Sequence, residues 1–448
     1  MLSREDNELL TRISSGTAMG SLIRRYWVPA LLSEEISEPD CPPVRVRMLG
    51  EELVAFRDSQ GRTGLLGEHC AHRGTSLFYG RNEDCGLRCI YHGWMYDVDG
   101  NVLDTPAEPG DSDFRKKLHH TAYPTHEAGG VIYGYLGPRD RLPLFPNYEW
   151  TQVPLNQTYV TKSLLECNYL QGLEGECDSS HLSFLHRAFN NERNQPLYKG
   201  DPSPIYETEE TDFGVRLIAT RNAADNQHYV RVSAFVMPVY GCVPAGRPTN
   251  ELDGYEIHTY VPADDTHCWR YDIGFRRSRP VREDEVHRRQ QIGPDYLRIR
   301  NARNDYLQDR ELQKTVNFTG IEDFLNHDAC ATESMGPIFD RSMEHLGASD
   351  KAVIAVRKFL LSSVKALRDG KDPPHLLSDL PGNWFPHIDC FAYLLPRSSH
   401  WRQHFNYLTA TAEKENPASF MAARKSTSLA APRDQRTDPL QRERHETR

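Results

Sequence analysis

Residues 70–75 read CAHRGT and residues 89–94 read CIYHGW, so a Cys-x-His motif is followed by a Cys-x-x-His motif. Each motif can present one thiolate and one imidazole from a tight loop, and two such loops can present all four groups to a common point. This donor set suits a zinc ion, or an iron–sulfur cluster in which one iron takes both cysteines and the other takes both histidines. The predicted ligands are Cys70, His72, Cys89 and His92.

The neighbours of these ligands favour the iron–sulfur cluster. Gly74 and the Tyr91-His92-Gly93-Trp94 run allow the backbone to approach closely and place aromatic rings around the loop, which suits sulfides that need N–H donors and a dry shell. A structural zinc loop with the same ligands is the alternative. Cys85 lies between the motifs, but it does not repeat their chelate spacing, and we expect it to be structural. Histidine ligation raises the reduction potential of a cluster, so we expect this site to accept electrons and pass them on.

A second constellation lies in residues 166–187, which read ECNYLQGLEGECDSSHLSFLHR. On a helix its polar side chains would form one stripe, and a buried polar stripe needs partners such as a metal and its surroundings. The stripe consists of Asn168, Gln171, Glu174, Asp178 and His181. His186 is five residues beyond His181, and at about 100° per residue the two rings would diverge by roughly 140°. Both can reach one ion only if the helix widens or breaks, and we predict a π-bulge or break near Ser183.

Two histidines leave a ferrous ion in need of a carboxylate, and a face of two histidines and one carboxylate keeps positions open for dioxygen and substrate. The acids available in the segment GIEDFLNHDACATESMGP are Glu322, Asp323, Asp328 and Glu333. We prefer Asp328, with Asp323 as the second choice. Taken alone, two histidines on a helix are more often ordinary surface or core residues. The presence of an electron-accepting site upstream favours the metal interpretation.

The composition excludes several classes of function. The chain has 448 residues, and its 53 basic and 63 acidic residues give a net charge of −10, which argues against binding to nucleic-acid phosphates. No stretch approaches the roughly 18–20 apolar residues that a membrane span needs, and the acidic start MLSREDNELL is unlike a signal peptide. Ten scattered cysteines do not form a dense disulfide pattern. We therefore expect a cytoplasmic protein that binds neither nucleic acid nor membranes.

The hydrophobic pattern predicts an α+β chain. Its predicted units are a helical segment over residues 1–25, a small all-β domain over residues 26–150, a larger domain over residues 151–412 that contains the second constellation, and a polar, flexible tail over residues 413–448. Long alternating strands over residues 213–276 predict an antiparallel sheet. Apolar residues at helical spacing over residues 352–370 predict an amphipathic helix that ends at Gly370 and packs on the sheet.

The motifs CAHRG, CIYHGW and NYLQGLEGECDSSHLSFLH resemble those of the Rieske non-haem iron aromatic-ring-hydroxylating oxygenases. The resemblance is to the α subunit and to the phthalate 4,5-dioxygenase-like branch, and it covers most of residues 20–370. Residues 333–350, ESMGPIFDRSMEHLGASD, also resemble that branch, in which a ligand aspartate lies just upstream. This is the firmer reason for choosing Asp328.

The resemblance implies two iron centres. A Rieske [2Fe-2S] cluster would be held by Cys70, His72, Cys89 and His92, and a mononuclear Fe(II) by His181, His186 and Asp328. Asp178 matches the carboxylate that links a cluster histidine of one subunit to an iron-binding histidine of its neighbour. A head-to-tail homotrimer, or a stacked hexamer, follows from that link. The implied fold joins an N-terminal all-β Rieske domain to a C-terminal helix-grip (START-like) antiparallel sheet.

The resemblance also implies a terminal oxygenase that takes O2 and electrons from a flavin and [2Fe-2S] NAD(P)H-dependent reductase. The expected substrate is a small, anionic aromatic compound of the phthalate or benzoate type, which needs a cation in its pocket. The candidates are Arg216, Arg221 and Arg231, although solvated strand arginines are the ordinary interpretation of each. Two alternatives stay open, namely a monooxygenase that O-demethylates methoxylated lignin-derived aromatics, and a Rieske-type electron carrier without oxygenase activity.

Overall fold

The computed structural model describes residues 1–109, 113–189, 200–245, 253–286, 291–376, 385 and 388–405. The helices are α1 (Arg4–Thr11), α2 (Ala18–Ile23), α3 (Glu149–Gln152), α4 (Tyr169–Cys177), α5 (Leu312–Thr315), α6 (Phe324–Glu333) and α7 (Lys351–Arg368). The strands before α3 are β1 (Val28–Leu32), β2 (Val44–Met48), β3 (Glu51–Arg57), β4 (Thr63–Gly67), β5 (Arg81–Glu83), β6 (Gly86–Arg88), β7 (Met95–Tyr96), β8 (Val102–Asp104), β9 (Ala122–Tyr123), β10 (Thr125–Ala128) and β11 (Val131–Gly134). The strands after α3 are β12 (Thr158–Leu165), β13 (Ile205–Glu210), β14 (Gly214–Asn222), β15 (Gln227–Val236), β16 (Tyr240–Val243), β17 (Glu256–Pro262), β18 (Cys268–Phe275) and β19 (Phe391–Pro396).

The N-terminal region is all β after its two short helices. One four-stranded sheet has the order β2-β3-β4-β9, a second has the order β5-β6-β7-β8, and β1, β11 and β10 form a third. Buried side chains of the two four-stranded sheets share one apolar core, to which Phe56 and Leu66 contribute from the first sheet, and Leu87 and Tyr96 from the second. Cys70 and Cys89 belong to the same core, so both thiols are buried.

The C-terminal region is one antiparallel sheet of eight strands. Seven strands follow the order β12-β18-β17-β16-β15-β14-β13, and β19 pairs with one end of β15. One face carries a buried apolar cluster with β19 that includes Ile218 and Val232. The other face carries Leu217 and Ala219 of β14, which line a cavity beside α4 and α6. The sheet therefore has one face for packing and one face for a site.

The long helix α7 packs against β13 and β14. Its buried stripe includes Val353, Val356, Leu360 and Val364, which is the apolar pattern that predicted the helix. Beyond its C-cap Asp369, Gly370 adopts φ +77, a left-handed conformation that ends many helices and that glycine adopts without strain. The predicted α+β class is confirmed, with an N-terminal β region and a C-terminal antiparallel sheet that carries a long helix.

None of the helices in the described ranges combines the length and the apolar character needed to cross a membrane. All ten cysteines lie in the described ranges, and all ten are free thiols. Helices α1 and α2 fall within the predicted N-terminal segment and pack against α7. The predicted tail over residues 413–448 lies outside the described residues.

Candidate metal centres

Two loops with the same backbone geometry present the first set of predicted ligands. In the loop after β4, the N–H of Cys70 donates to a carbonyl five residues ahead (2.9 Å), and the N–H of Gly74 donates back to the carbonyl of Cys70 (2.8 Å). Cys89 and Gly93 repeat both hydrogen bonds in the loop after β6, at 2.8 and 3.0 Å. The glycines have φ values of +75° and +74°, which side chains rarely adopt. The two motifs thus fold into matching tight turns.

The four side chains form two pairs rather than one tetrahedron. The rings of His72 and His92 lie 4.5 Å apart, and the two thiols are each 3% exposed. In the described part of the chain, three potential ligand atoms come within 4.8 Å of one another only at His181, His186 and Asp328. A single zinc ion with bonds of about 2.0–2.3 Å would bring all its donors within roughly 4 Å. The side chains thus pair histidine with histidine and thiol with thiol, an arrangement that suits a two-iron cluster with unlike ligands.

Aromatic side chains surround this site. Trp94 stacks on the ring of His72, with centroids 4.6 Å apart and planes inclined by 4°. The hydroxyl of Tyr96 lies 3.0 Å from the sulfur of Cys70. Burial, followed by the contact with Cys70, raises the pKa of Tyr96 well above its usual value, so the hydroxyl stays protonated and can donate. Cys85 lies in the turn between β5 and β6, where its N–H donates to the Ser59 hydroxyl (3.0 Å).

The helix that precedes the second set of ligands ends earlier than the sequence suggested. Helix α4 stops at Cys177, Asp178 has an extended backbone, and a single 3₁₀ turn covers His181–Ser183. The break comes at Asp178 because its carboxylate accepts the N–H groups of Ser180 (2.6 Å) and His181 (3.2 Å). The prediction of one continuous helix with a polar stripe was therefore wrong. A break that allows both histidines to converge is present, but it lies at Asp178 rather than near Ser183.

Two histidines and one carboxylate meet after this break. Nε2 of His186 lies 2.9 Å from Oδ1 of Asp328, and Nε2 of His181 lies 4.0 Å from the same oxygen. The ring centroids of the histidines are 5.0 Å apart. Asp328 comes from α6, whereas the second choice, Asp323, caps that helix by accepting the N–H of Leu325 (2.9 Å). The structure thus brings three groups together in the set that suits non-haem ferrous iron.

The charges around the three groups favour metal binding. Burial lowers the pKa of His186 to about 4, although the Asp328 carboxylate opposes this shift. Burial opposes ionisation of Asp328, but His186, Arg270 and His181 keep its pKa below the usual value. Burial likewise opposes protonation of His181, yet Asp178, whose Oδ2 is 3.7 Å from Nδ1, raises its pKa. The site therefore offers a carboxylate and two histidines on separate backbone segments.

Sequence reasoning missed the buried charges behind Asp328. Arg270 lies 3.6 Å from Asp328 through Nη1 and donates from Nε to Asp272 at 2.8 Å. Glu176 lies 2.8 Å from Nδ1 of His258 and 3.3 Å from Arg270. Polar residues at alternate positions of the apolar strands β17 and β18 were the available signal, because such residues need partners when both faces of a sheet are covered.

A cavity of about 280 Å³ opens beside the candidate triad of His181, His186 and Asp328. His181 and Asp328 line it together with apolar side chains such as Leu217, Val243 and Met335. Its volume is close to the lower end of the roughly 300–1,000 Å³ that small-molecule sites occupy. The reacting part of a small ligand would therefore lie against the triad.

The three candidate arginines have different surroundings. Arg231 lines the cavity, next to Ser233 on the same strand. Arg216 is on the opposite face of the sheet, where it donates to Glu209 (3.1 Å). Arg221 is 0% exposed and donates to Ser179 (3.0 Å to the hydroxyl), so it supports the loop after α4. The expectation that these arginines solvate an exposed sheet was wrong for Arg216 and Arg221, because both are buried.

Comparisons with known proteins agree with this arrangement. Residues 26–123 match the Rieske [2Fe-2S] domain family, and residues 134–424 match the family described as LigXa C-terminal domain like. The chain is 41% identical to the phthalate 4,5-dioxygenase oxygenase subunit of Pseudomonas putida, over 83% of this chain and 88% of that protein. It is 34% identical to the 3-chlorobenzoate-3,4-dioxygenase oxygenase subunit of Comamonas testosteroni, over 90% and 97%. A solved structure of NdmA from Pseudomonas putida CBB5, a QL mutant with theobromine, shares the fold with a TM-score of 0.58 at 19% identity, over 78% of this chain and 92% of that one.

Proposed function

The chain belongs to the Rieske non-haem iron oxygenases, as an oxygenase α subunit of the phthalate 4,5-dioxygenase-like branch, and from this premise we propose that it hydroxylates a small aromatic carboxylate of the phthalate or benzoate type. The observation that carries the proposal is that one cavity is lined by two members of the triad, His181 and Asp328, and by Arg231. A metal at the triad would meet the ring, and the arginine would meet the carboxylate.

In this proposal Cys70, Cys89, His72 and His92 hold the [2Fe-2S] cluster, and His181, His186 and Asp328 hold the mononuclear iron. The paired arrangement of the first four side chains and the convergence of the other three support this assignment. When bound, the mononuclear iron supplies the activation of dioxygen with electrons that the cluster receives. Coordination positions that the three side chains leave unfilled would be open to the cavity, since His181 and Asp328 line it.

Arg231 is proposed to bind the substrate carboxylate. It pairs with Ala219 across β14 and β15, and both residues line the cavity. A guanidinium binds a carboxylate through two parallel hydrogen bonds, which fixes the direction of an attached ring as well as its position. The apolar lining formed by Leu217 and Val243 suits an aromatic ring. Arg231 and this apolar lining together would select an anionic aromatic substrate.

Two apolar surface patches support a head-to-tail homotrimer, alone or stacked as a hexamer. The cluster loops expose Ile90 and Tyr91, each by more than half of its surface. Beside the triad, Phe184, Phe318 and Phe324 are each 44–48% exposed. Such patches are typical of association surfaces.

Asp178 is the residue through which one proposed subunit would face the cluster of the next. Its side chain is 25% exposed and already contacts His181. We propose that a cluster histidine of the neighbouring subunit approaches the exposed edge of this carboxylate, whose Oδ1 also accepts from Tyr206 (3.1 Å), so that the two centres connect across the subunit boundary. A flavin and [2Fe-2S] NAD(P)H-dependent reductase would reduce the cluster. The ten free thiols fit a reducing, cytoplasmic setting in which that nucleotide is available.

Oxygen uptake tests the proposal directly. With a compatible reductase and NADH, a panel of benzoates, phthalates and methoxybenzoates should reveal substrate-dependent O2 uptake by the wild type. His181→Ala should abolish uptake while the cluster is still reduced, whereas His345→Ala, which changes an exposed histidine, should have no effect. O2 uptake that survives in His181→Ala would contradict the proposed iron site. A wild-type protein that accepts and passes electrons without substrate-dependent O2 uptake would be a Rieske-type electron carrier.

The products distinguish the two oxygenase reactions. A cis-diol from an aromatic carboxylate supports dioxygenation, and a phenol with formaldehyde from a methoxylated compound supports the O-demethylase alternative. Arg231→Gln should raise KM for carboxylates and leave neutral analogues unaffected, which tests the recognition step separately from the chemistry.

A further inference from the structure

We propose that His327 is a positioning residue that fixes the tautomer of His186 and thereby the strength with which His186 binds the mononuclear iron. This inference rests on the proposed ligand set of His181, His186 and Asp328. His327 precedes Asp328 in α6, and the cavity-lining residues do not include it. It acts on the metal site only through the neighbouring histidine.

A chain of two hydrogen bonds carries the argument. Nδ1 of His327 lies 3.2 Å from Nδ1 of His186, and Nε2 of His327 lies 2.8 Å from the carbonyl oxygen of Ile321. A carbonyl oxygen only accepts, so Nε2 of His327 carries a proton. When a metal takes the lone pair on Nε2 of His186, the proton of that ring lies on Nδ1, and Nδ1 of the neutral His327 ring is the acceptor 3.2 Å away; the carbonyl of Leu185 also faces the His327 ring.

The consequence for His186 is a defined tautomer. With its proton on Nδ1, the lone pair lies on Nε2, and this is the nitrogen 2.9 Å from Asp328. The nitrogen that faces the metal site is therefore ready to bind. Both rings are buried, at 5% and 6% exposure, so water is poorly placed to replace His327 as the acceptor.

The rest of α6 holds the ring of His186 in place. Phe324 stacks on it, with centroids 3.5 Å apart and planes inclined by 12°. Phe324, His327 and Asp328 occupy positions i, i+3 and i+4, which share one face of a helix. A single helix thus supplies the carboxylate, the stacking ring and the hydrogen-bond acceptor.

The two histidines consequently have unlike partners. Nδ1 of His181 faces the carboxylate of Asp178 at 3.7 Å, and Nδ1 of His186 faces a neutral ring. Partners behind metal-binding histidines commonly change metal affinity by about 10- to 100-fold when they are removed. The loss of His327 should fall in that range.

Three substitutions of His327 distinguish the effect of its hydrogen-bond acceptor from the effect of its side-chain volume. In His327→Asn the amide oxygen is bonded to Cγ, as Nδ1 is in histidine, so an acceptor stays close to His186. In His327→Gln the amide is one bond farther out, so it reaches toward Ile321 instead. His327→Phe keeps a ring and removes both polar groups. His186→Ala serves as the reference for a site that has lost a ligand.

The measurement is the Fe(II) affinity of apoprotein, obtained by titration against a chelator, with the visible spectrum of the [2Fe-2S] cluster as the measure of folding. His327→Asn should bind Fe(II) within about threefold of wild type, and His327→Gln and His327→Phe should bind it about 10- to 100-fold more weakly. Equal affinity in wild type and His327→Phe would overturn the inference, and so would equal losses in Asn, Gln and Phe. If the Phe variant fails to fold, the Asn and Gln variants decide. If His186→Ala binds Fe(II) as wild type does, the proposed ligand set itself is wrong.

Discussion

Replacing Tyr96 with phenylalanine should lower the reduction potential of the cluster. The change removes a hydroxyl that lies 3.0 Å from the sulfur of Cys70 and keeps the fully buried ring. The reduced cluster carries one more negative charge than the oxidised cluster, so a donor to its sulfur stabilises the reduced state more. Loss of the donor therefore makes reduction harder.

The size of the shift follows from the energy of one hydrogen bond. A hydrogen bond to a charged group contributes about 1.5–3 kcal/mol. If roughly one third of this, about 0.5–1 kcal/mol, is specific to the reduced state, the potential falls by about 20–40 mV, since 1.4 kcal/mol corresponds to about 59 mV for one electron.

A redox titration followed by visible absorption measures this shift. Tyr135→Phe is the matched control, because Tyr135 is also buried in the N-terminal β region and its hydroxyl donates to the carbonyl of Arg141 (2.9 Å). Its potential should equal that of the wild type. An unchanged or raised potential in Tyr96→Phe, with normal cluster content, would refute the proposed bond to a cluster ligand.

Four further outcomes are expected. Gly74→Ala and Gly93→Ala should each lower the free energy of unfolding by about 1 kcal/mol, because alanine is strained at their positive φ values. Gly93→Ala should lose more, since its new Cβ would lie 2.7 Å from the Pro106 side chain, and thermal unfolding of the two variants measures the difference. Arg231→Gln should raise KM for aromatic carboxylates at least tenfold with a smaller change in kcat, and equal effects on neutral analogues would refute the anchor. Asp178→Asn should keep both metals, by metal analysis, but slow steady-state turnover, and normal turnover would remove its linking role. Although burial opposes protonation of His181, Asp178 raises its pKa. Protons should therefore compete with Fe(II) for this ring, and the Fe(II) affinity of apoprotein, measured by chelator titration, should fall as the pH drops from 8 to 6. An affinity that does not change with pH would contradict this.

Local chemistry explains why the loops of the first candidate metal site could be predicted from the sequence. Cys70 and Cys89 each start a short loop whose glycine permits the required turn, so motif and geometry lie within six residues. The helix α7 was predictable for the same reason, since its apolar spacing and Gly370 are local signals. Asp328 needed the resemblance to a family, because three other acids in the same segment were possible ligands.

Long-range contacts explain what the sequence did not reveal. The break at Asp178 depends on one carboxylate capping the next turn, and the sequence suggested a break near Ser183 instead. Which arginine faces the cavity depends on strand register, which pairs Ala219 with Arg231 and places Arg216 on the other face. Arg270 and Asp328 are 58 positions apart in the sequence, so no local pattern connects them.

The central claim is that one chain holds two separate iron centres, and metal analysis tests it most directly. Fully loaded wild type should contain about three irons and two acid-labile sulfides per chain, and His186→Ala should contain about two irons and two sulfides with an unchanged cluster spectrum. Zinc in place of iron at Cys70 and Cys89, or a third iron retained in His186→Ala, would contradict the account.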